Sequence, residues 1–371
     1  MECDVIITYC WNRVGYNILK SLANKGLKVV VADTSKCNIC SLSKYSSGSF
    51  TYPDPFSHEK EFVNCLIDKI NVLKPSILIP THDESIIIAK HRDQFPENLI
   101  IPIETEKKLI DLSDKIKASL IAKKAKVPTP IIYSNISKIS KYPIVFKTAI
   151  GNSAKGVFFP KNESELRELQ LKFQDTKTFV QEYCEGVDFC VDCIRYGDFF
   201  YASVYKALIT KTEGGGTTTQ RIIVENNRLI TYAKQFLDYV DYNGVCGLDF
   251  KVNADNNVYF IECNARYTGG LATPIAAGFD IPYIHYTLAT TGVFNKNINL
   301  KVGTKTKWIL GDIITFVGRI ISLKFDFKEM KQIFKFKFDA FDDFCKDDKK
   351  AIIGELAYYF HKLIKNRKLN P

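Results

Sequence analysis

Gly247-Leu-Asp-Phe-Lys-Val-Asn-Ala-Asp-Asn-Asn-Val-Tyr-Phe-Ile-Glu-Cys-Asn-Ala-Arg266 holds two β-rich runs separated by a turn-forming stretch at 254–257. A turn centred between Asp255 and Asn256 sets Asp249 opposite Glu262, and Asn264 then projects from the same face as Glu262. Like charges facing each other across a strand pair repel, so the pattern makes sense when cations sit between them. Carboxylate and amide oxygens suit magnesium, with water and phosphate completing the coordination. Arg266, two residues on, can reach a transferring phosphoryl group or a developing oxyanion. The alternative is an exposed hairpin with two unrelated acids.

Upstream, the segment from Tyr142 to Phe159 reads as strand, glycine-containing loop, strand. Gly151 and Gly156 let backbone N–H groups approach an anion, Ser153 adds a hydroxyl, and Lys147 ends the strand before them. A plain hairpin turn explains the same residues. Further on, Gln181-Glu-Tyr-Cys-Glu-Gly-Val-Asp188 places acids where a strand stops and restarts. Backbone groups there can read a purine, with Asp188 or Glu185 accepting from ribose hydroxyls, or the stretch is a solvated acidic turn.

The first hundred residues alternate strand and helix: 5–9, 28–33 and 77–80 as strands, and 14–25, 59–73 and 85–94 as helices. This predicts a parallel sheet covered on both faces. The first turn, Tyr9-Cys-Trp-Asn-Arg-Val-Gly15, lacks G-x-G-x-x-G, so no bound dinucleotide is expected. Beyond a boundary near 103, Ser113 is expected to cap a helix running to about 125, which Pro128 and Pro130 follow with extended chain. Residues 142–264 then read as an antiparallel α+β region with helices at 163–173 and 228–239.

The 371 residues carry a net charge of +10. Residues 301–371 contribute 14 Lys and 2 Arg against 9 acids, but no groove-fitting motif accompanies them, so nucleic acid is not an expected partner. Eleven scattered cysteines and no signal-peptide pattern point to a reducing cytoplasm. Cys37 and Cys40 form a lone C-x-x-C expected to face solvent, while Cys190 and Cys193, three apart on a strand, are expected to pack on opposite faces.

Taken in order, these motifs resemble the ATP-grasp superfamily, within it the carbamoyl-phosphate-synthase-large-subunit-like and carboxylate-amine ligase branch, over roughly residues 1–295. Asp114-Lys115 is similar to the family's first ATP lysine, and Lys147 with the loop to Gly156 to its second lysine and phosphate loop. Gln181, Glu182, Tyr183 and Cys184 resemble the adenine hinge, Asp188 the ribose acid, and Asp249, Glu262, Asn264 and Arg266 the metal and phosphate set. Position 188 is Asp where the family more often shows Glu, which leaves Glu185 as an alternative contact. Pro80-Thr-His-Asp-Glu84 resembles the branch's substrate-side domain.

The resemblance implies a Rossmann-like domain at 1–103 and an ATP-grasp domain at 104–295, with a lid at about 128–184 and an antiparallel-sheet part at about 185–295. A basic helical extension follows at 296–371. It also implies ATP and two magnesium ions, manganese substituting, and attack of a small-molecule carboxylate on the γ-phosphate. The resulting acyl phosphate is then taken by an amine, releasing phosphate. A homodimer through the central domain is common among relatives.

In Lys206-Ala-Leu-Ile-Thr-Lys-Thr-Glu-Gly-Gly-Gly-Thr-Thr-Thr-Gln-Arg221, residues 214–216 form a mobile loop and Arg221 either clamps a carboxylate or sits on the surface. The run 308–325 contains Asp312 and Arg319 and does not read as a membrane span. Residues 351–365 alternate apolar and basic positions, a helix either packed on the core or resting weakly on an anionic membrane surface. Two rival readings are an ATP-binding regulatory protein without turnover and a carboxylase or carbamoyl-phosphate-forming enzyme. The latter calls for a biotin-carrier segment or a fused second copy, and neither is in these 371 residues.

Overall fold

A computed structural model describes residues 2–151, 156–212, 215–322, 326–335 and 337–366. The N-terminal part is a parallel sheet of order β3-β2-β1-β4, formed by β1 (Val5–Ile7), β2 (Val29–Asp33), β3 (Gly48–Thr51) and β4 (Ile77–Ile79). β1, β2 and β4 bury both faces, which is why they read as apolar runs, whereas the edge strand β3 is largely exposed. Val5, Ile7, Val31 and Ile79 pack on one side with α1 (Arg13–Ala23); Ile6, Val30 and Leu78 pack on the other with α2 (Glu59–Leu73) and α3 (Glu84–Lys90).

Next come α4 (Glu106–Ser113) and α5 (Lys115–Lys124). The cap of α5 is Asp114, not Ser113, which ends α4. The Asp114 carboxylate accepts from the Ile116 and Lys117 N–H groups and also pairs with Lys177 at 2.6 Å, whereas a serine hydroxyl could not have served both. An antiparallel sheet of order β5-β8-β6-β7 forms the small lobe: β5 (Ile132–Tyr133), β6 (Ile144–Thr148), β7 (Val157–Phe158) and β8 (Thr178–Glu182), with α6 (Glu163–Lys172) beside it.

The central sheet has seven strands in the order β13-β12-β9-β10-β11-β14-β15. They are β9 (Val187–Tyr196), β10 (Phe199–Thr212), β11 (Gly215–Val224), β12 (Gly244–Val252), β13 (Val258–Asn264), β14 (Lys305–Lys307) and β15 (Ala340–Phe341). Val191, Cys193, Leu248, Phe250 and Phe260 bury one face against α5 and α7 (Asn227–Tyr239). The period-two alternation sends Cys190, Asp192 and Asp249 to the other face. Cys190 and Cys193 thus lie in separate clusters, as their spacing implies.

After α8 (Ala272–Ala276) and α9 (Ile281–Thr291), the segment expected to be a helical extension supplies two strands of the central sheet as well as α10 (Ile309–Ile321), α11 (Phe327–Ile333) and α12 (Lys349–Asn366). α12 docks on the N-terminal part. Asp348 accepts from Tyr16, Ser43 and the Lys44 N–H, and Gly354 passes so close to the Asn38 carbonyl that a Cβ there would lie 2.3 Å from its oxygen. The 34–47 loop is pinned beneath it, so Cys40 is buried and only Cys37 faces solvent, correcting the expectation for that pair. Among the described residues no helix is long and apolar enough to cross a membrane.

Candidate active site

The hairpin β12–β13 delivers the acids, though not by the expected turn. Pairs Val252–Val258, Lys251–Tyr259 and Phe250–Phe260 are centred on Asp255 itself, a register that would set Asp249 opposite Ile261. A β-bulge between Asp249 and Phe250 takes up Ile261 as the extra residue, and Asp249 meets Glu262 after all, with Gly247 opposite Asn264. Ile261 and Glu262 consequently both line the cleft.

That cleft, about 520 Å³, lies between the small lobe, the central sheet and the N-terminal part. It gathers Lys115, Lys147, Gly151, Gln181, Tyr183, Cys184, Asp188, Asp249, Glu262, Asn264 and Arg266 from the candidates named above. Lys115 reaches Glu262 at 3.2 Å and donates to the Gly151 carbonyl, tying α5 to the loop after β6. Asn264 Nδ2 donates to Asp249 at 3.1 Å, which turns its amide oxygen into the atom left for a ligand. Lys251, which the motif reading passed over, pairs with Asp188 at 2.7 Å. Its alternation with Asp249 along β12 was the available signal.

Electrostatics mark the site as built for something not protein. Burial and then Glu262 push the Asp249 carboxyl well above its ordinary range. Burial also opposes ionisation of Glu262, but Lys115 and Lys147 outweigh it and hold that carboxyl low. Lys147 is brought down to about 8, first by burial, with Lys115 and Lys251 adding to the fall and Glu262 resisting it. Lys115 and Lys147 therefore share the cleft with Asp249 and Glu262, with charge still poorly matched at Asp249.

Other candidates lie elsewhere. Glu182 turns away and accepts from the Ile131 N–H, Glu185 is exposed, and Gly156 sits in the turn beside Thr148. None of the three lines the cleft. Ser153 and Gly214 lie outside the described residues. Arg221 is neither a surface residue nor a cleft residue. Its guanidinium is fully buried, bidentate to Asp342 at 2.6 and 3.2 Å and bonded to Thr218, so no donor remains to clamp a substrate carboxylate. Missed altogether were Tyr9, Trp11, Arg13, Trp308, Tyr359 and Lys362, which wall the far end of the cleft.

Residues 174–310 match the family model described as ATP-grasp in the biosynthetic pathway with Ter operon. Among curated proteins, the mitochondrial propionyl-CoA carboxylase alpha chain of Caenorhabditis briggsae is 22% identical over 191 residues, 43% of this chain. The match spans only 25% of that relative's length. Among solved structures, an ADP complex of N5-carboxyaminoimidazole ribonucleotide synthetase superposes with a TM-score of 0.68 at 18% identity, covering 86% of this chain and 85% of that one. A biotin carboxylase complex from Campylobacter jejuni gives 0.68 at 16% identity, covering 82% and 74%. An L-amino acid ligase from Bacillus licheniformis gives 0.62 at 15%, covering 78% and 75%. With the order of its motifs, its three sheets and the matched segment in agreement, the chain has the ATP-grasp fold, and its residues 174–310 match an ATP-grasp family model.

Proposed function

We propose that the chain is an ATP- and magnesium-dependent ligase that activates a carboxylate as an acyl phosphate and joins it to an amine, with release of ADP and phosphate. The observation that carries this reading is the meeting of Asp249, Glu262 and Asn264 with Lys115 and Lys147 in one cleft. Among the described residues no three His, Cys, Asp or Glu side chains form a metal cluster by themselves. Two acids and one amide suit a hard divalent cation whose remaining ligands come from a nucleotide and water, and the raised carboxyl of Asp249 is what a site awaiting such a cation should show. Two ions are expected, manganese substituting. When bound, they neutralise charge on the phosphoryl oxygens.

Lys115 and Lys147 place ammonium groups at the same charge. Val145, Val157, Phe159 and Tyr183 offer apolar surface for a purine beside the backbone after β8. A substrate carboxylate oxygen forms a bond to the γ-phosphorus as the bond to the β-phosphate oxygen breaks. The amine nitrogen then attacks the acyl carbon and phosphate departs. Arg266, held by Asp83 at 3.2 Å, is the cation at the developing oxyanion. Arg221 acts as a positioning residue through its pair with Asp342.

The test is nucleotide release measured with acids and amines in combination. ADP formation that requires both partners supports the ligase. AMP formation excludes it, and ADP release with bicarbonate alone assigns a carboxylase. Binding of ATP without turnover assigns a regulatory protein.

Location is a separate matter. Eleven free thiols support a reducing compartment such as the cytoplasm. On α12, Ile353, Leu356, Phe360 and Ile364 are exposed at helical spacing, and α10 exposes Ile313, Val317, Ile320 and Ile321. Within a segment carrying seven surplus positive charges, this supports weak contact with an anionic membrane surface. Co-sedimentation with anionic vesicles should fall in the Ile321→Ser/Phe360→Ser variant; equal binding would end the idea.

A further inference from the structure

Past the metal ligands the cleft runs to an end that the ligase chemistry does not use apart from Arg266. It is assembled from the loop after β1, the loop after β4, the entry to α10, and α12. The loop after β1 and the first residue of α1 present Tyr9, Trp11 and Arg13 at alternate positions, and each is stacked on a partner from a different segment. Tyr9 lies on His82 with centroids 4.9 Å apart and planes at 21°, and Trp11 on Tyr358 at 4.9 Å and 12°. The Arg13 guanidinium lies 3.8 Å from the Trp308 ring centroid. The Lys362 ammonium is 5.1 Å from the Trp11 centroid, and Tyr359 meets Trp11 edge-on at 6.0 Å. Tyr9 holds a left-handed backbone, φ 57°, with its N–H donating to the Tyr52 hydroxyl at 2.8 Å. A non-glycine residue kept there needs surroundings that enforce it.

The chemistry of this end is one-sided. The carboxylates lining the cleft, Asp188, Asp249 and Glu262, all belong to the nucleotide and metal half. The lining side chains of the far half are aromatic, basic or neutral. Flat π faces edged by cations, with no acid among the described lining residues, fit a flat ring carrying negative charge. Arg266 stands between the two halves, where such a ligand's charged group would meet the phosphoryl end.

We infer that the far end of the cleft is the subsite of the acid substrate, and that this acid bears a flat unsaturated ring held against Trp11 and Tyr359 with its carboxylate toward Arg266. The inference deepens the ligase reading, yet the binding it describes can be tested without turnover. The chain has two tryptophans, Trp11 and Trp308, and both line this cleft. Intrinsic fluorescence therefore reports on the subsite directly. The full-length chain is titrated with phenylacetate, cyclohexylacetate and hexanoate, which share one charge and differ in ring and flatness.

Phenylacetate is expected to give a saturable change with a Kd about tenfold below those of the other two acids, the upper range for one aromatic contact. In Trp11→Leu, with Trp308 still reporting, that preference collapses while cyclohexylacetate binding changes less than about twofold. Equal Kd values for the three acids, no saturable response to any, or a preference that survives in both Trp11→Leu and Tyr359→Leu each overturn the inference. ATP binding measured on the same samples shows that each variant is folded. Ring-selective binding that never supports ADP release with any amine leaves the subsite standing and removes the ligase. Ligase turnover indifferent to the ring does the reverse.

Discussion

Glu262 is the residue on which the site turns, since it faces Asp249 across the hairpin and Lys115 across the cleft. Glu262→Gln should lower ADP formation by about 100-fold or more, the scale of losing one preorganised charge. Its melting temperature should fall modestly, because Lys115 loses its 3.2 Å partner and the pull of Lys115 and Lys147 on the carboxylate outweighs relief of the contact with Asp249; an unchanged melting temperature would show that these ion pairs do not hold the cleft together. Lys147 gives a prediction in pH. With its ammonium brought down to about 8 by burial, Lys115 and Lys251 adding to the fall against the resistance of Glu262 and Cys184, it loses its proton near pH 8 in the folded chain but keeps it to higher pH when unfolded. The unfolded state thus binds more protons between about 8 and the ordinary lysine value, so this group adds stability as pH rises through that window. Phosphate favours the charged form, so ATP binding should take up a proton at pH 8.5 and weaken above it. Calorimetry in buffers of differing ionisation enthalpy measures this, and Lys147→Met should show correspondingly less uptake. Both lysines were legible from sequence because each ends or begins a strongly patterned element. Their charge state was not, because it depends on groups brought together by folding.

At the scale of elements, the β12–β13 hairpin shows how a correct pairing can be reached through a wrong turn. The period-two pattern identifies the faces, but the turn is centred one half-step away and the bulge at Ile261 restores the match. Deleting Ile261, the extra residue, should leave a regular ladder in which Glu262 directly follows Phe260 and still meets Asp249, so magnesium-dependent ATP binding should survive in a chain that retains its β-sheet circular dichroism; loss of ATP binding in such a folded variant would refute the bulge assignment. The docking of α12 rests on a different close approach. Gly354→Ala puts a methyl against the Asn38 carbonyl and should cost about 1–3 kcal/mol, read by urea denaturation. It should also reduce the near-ultraviolet signal of the Trp11–Tyr358 stack. The helix itself was readable from its alternation of apolar and basic positions. Its partner was not, since nothing in a helical pattern says which distant loop it will cover.

Over the whole molecule, Arg221 and Asp342 bind the central sheet to the C-terminal segment. Asp342 lies one residue beyond β15, accepts two bonds from Arg221, and faces Arg13 at 3.2 Å, all in a buried setting. Asp342→Ala should destabilise the fold by about 3–5 kcal/mol, because two buried guanidinium groups lose their counter-charge. The double variant Arg221→Met/Asp342→Leu should recover a substantial part of that loss in urea denaturation. If the single variant costs less than about 1 kcal/mol, the pair is not what joins the segments.

By itself the sequence determined the alternating N-terminal layer, the lobe of strands after Pro130, the hairpin with its two acids, and the order of the motifs. Each is written in periodicity or in turn residues within some twenty positions. Tertiary structure alone decided that Arg221 is spent on a partner 121 residues away, that the C-terminal segment completes the central sheet, and that the far end of the cleft is a stacked box. Hydrophobic patterning selects which face is buried but is indifferent to what covers it. Long-range pairing is settled only when the chain closes on itself.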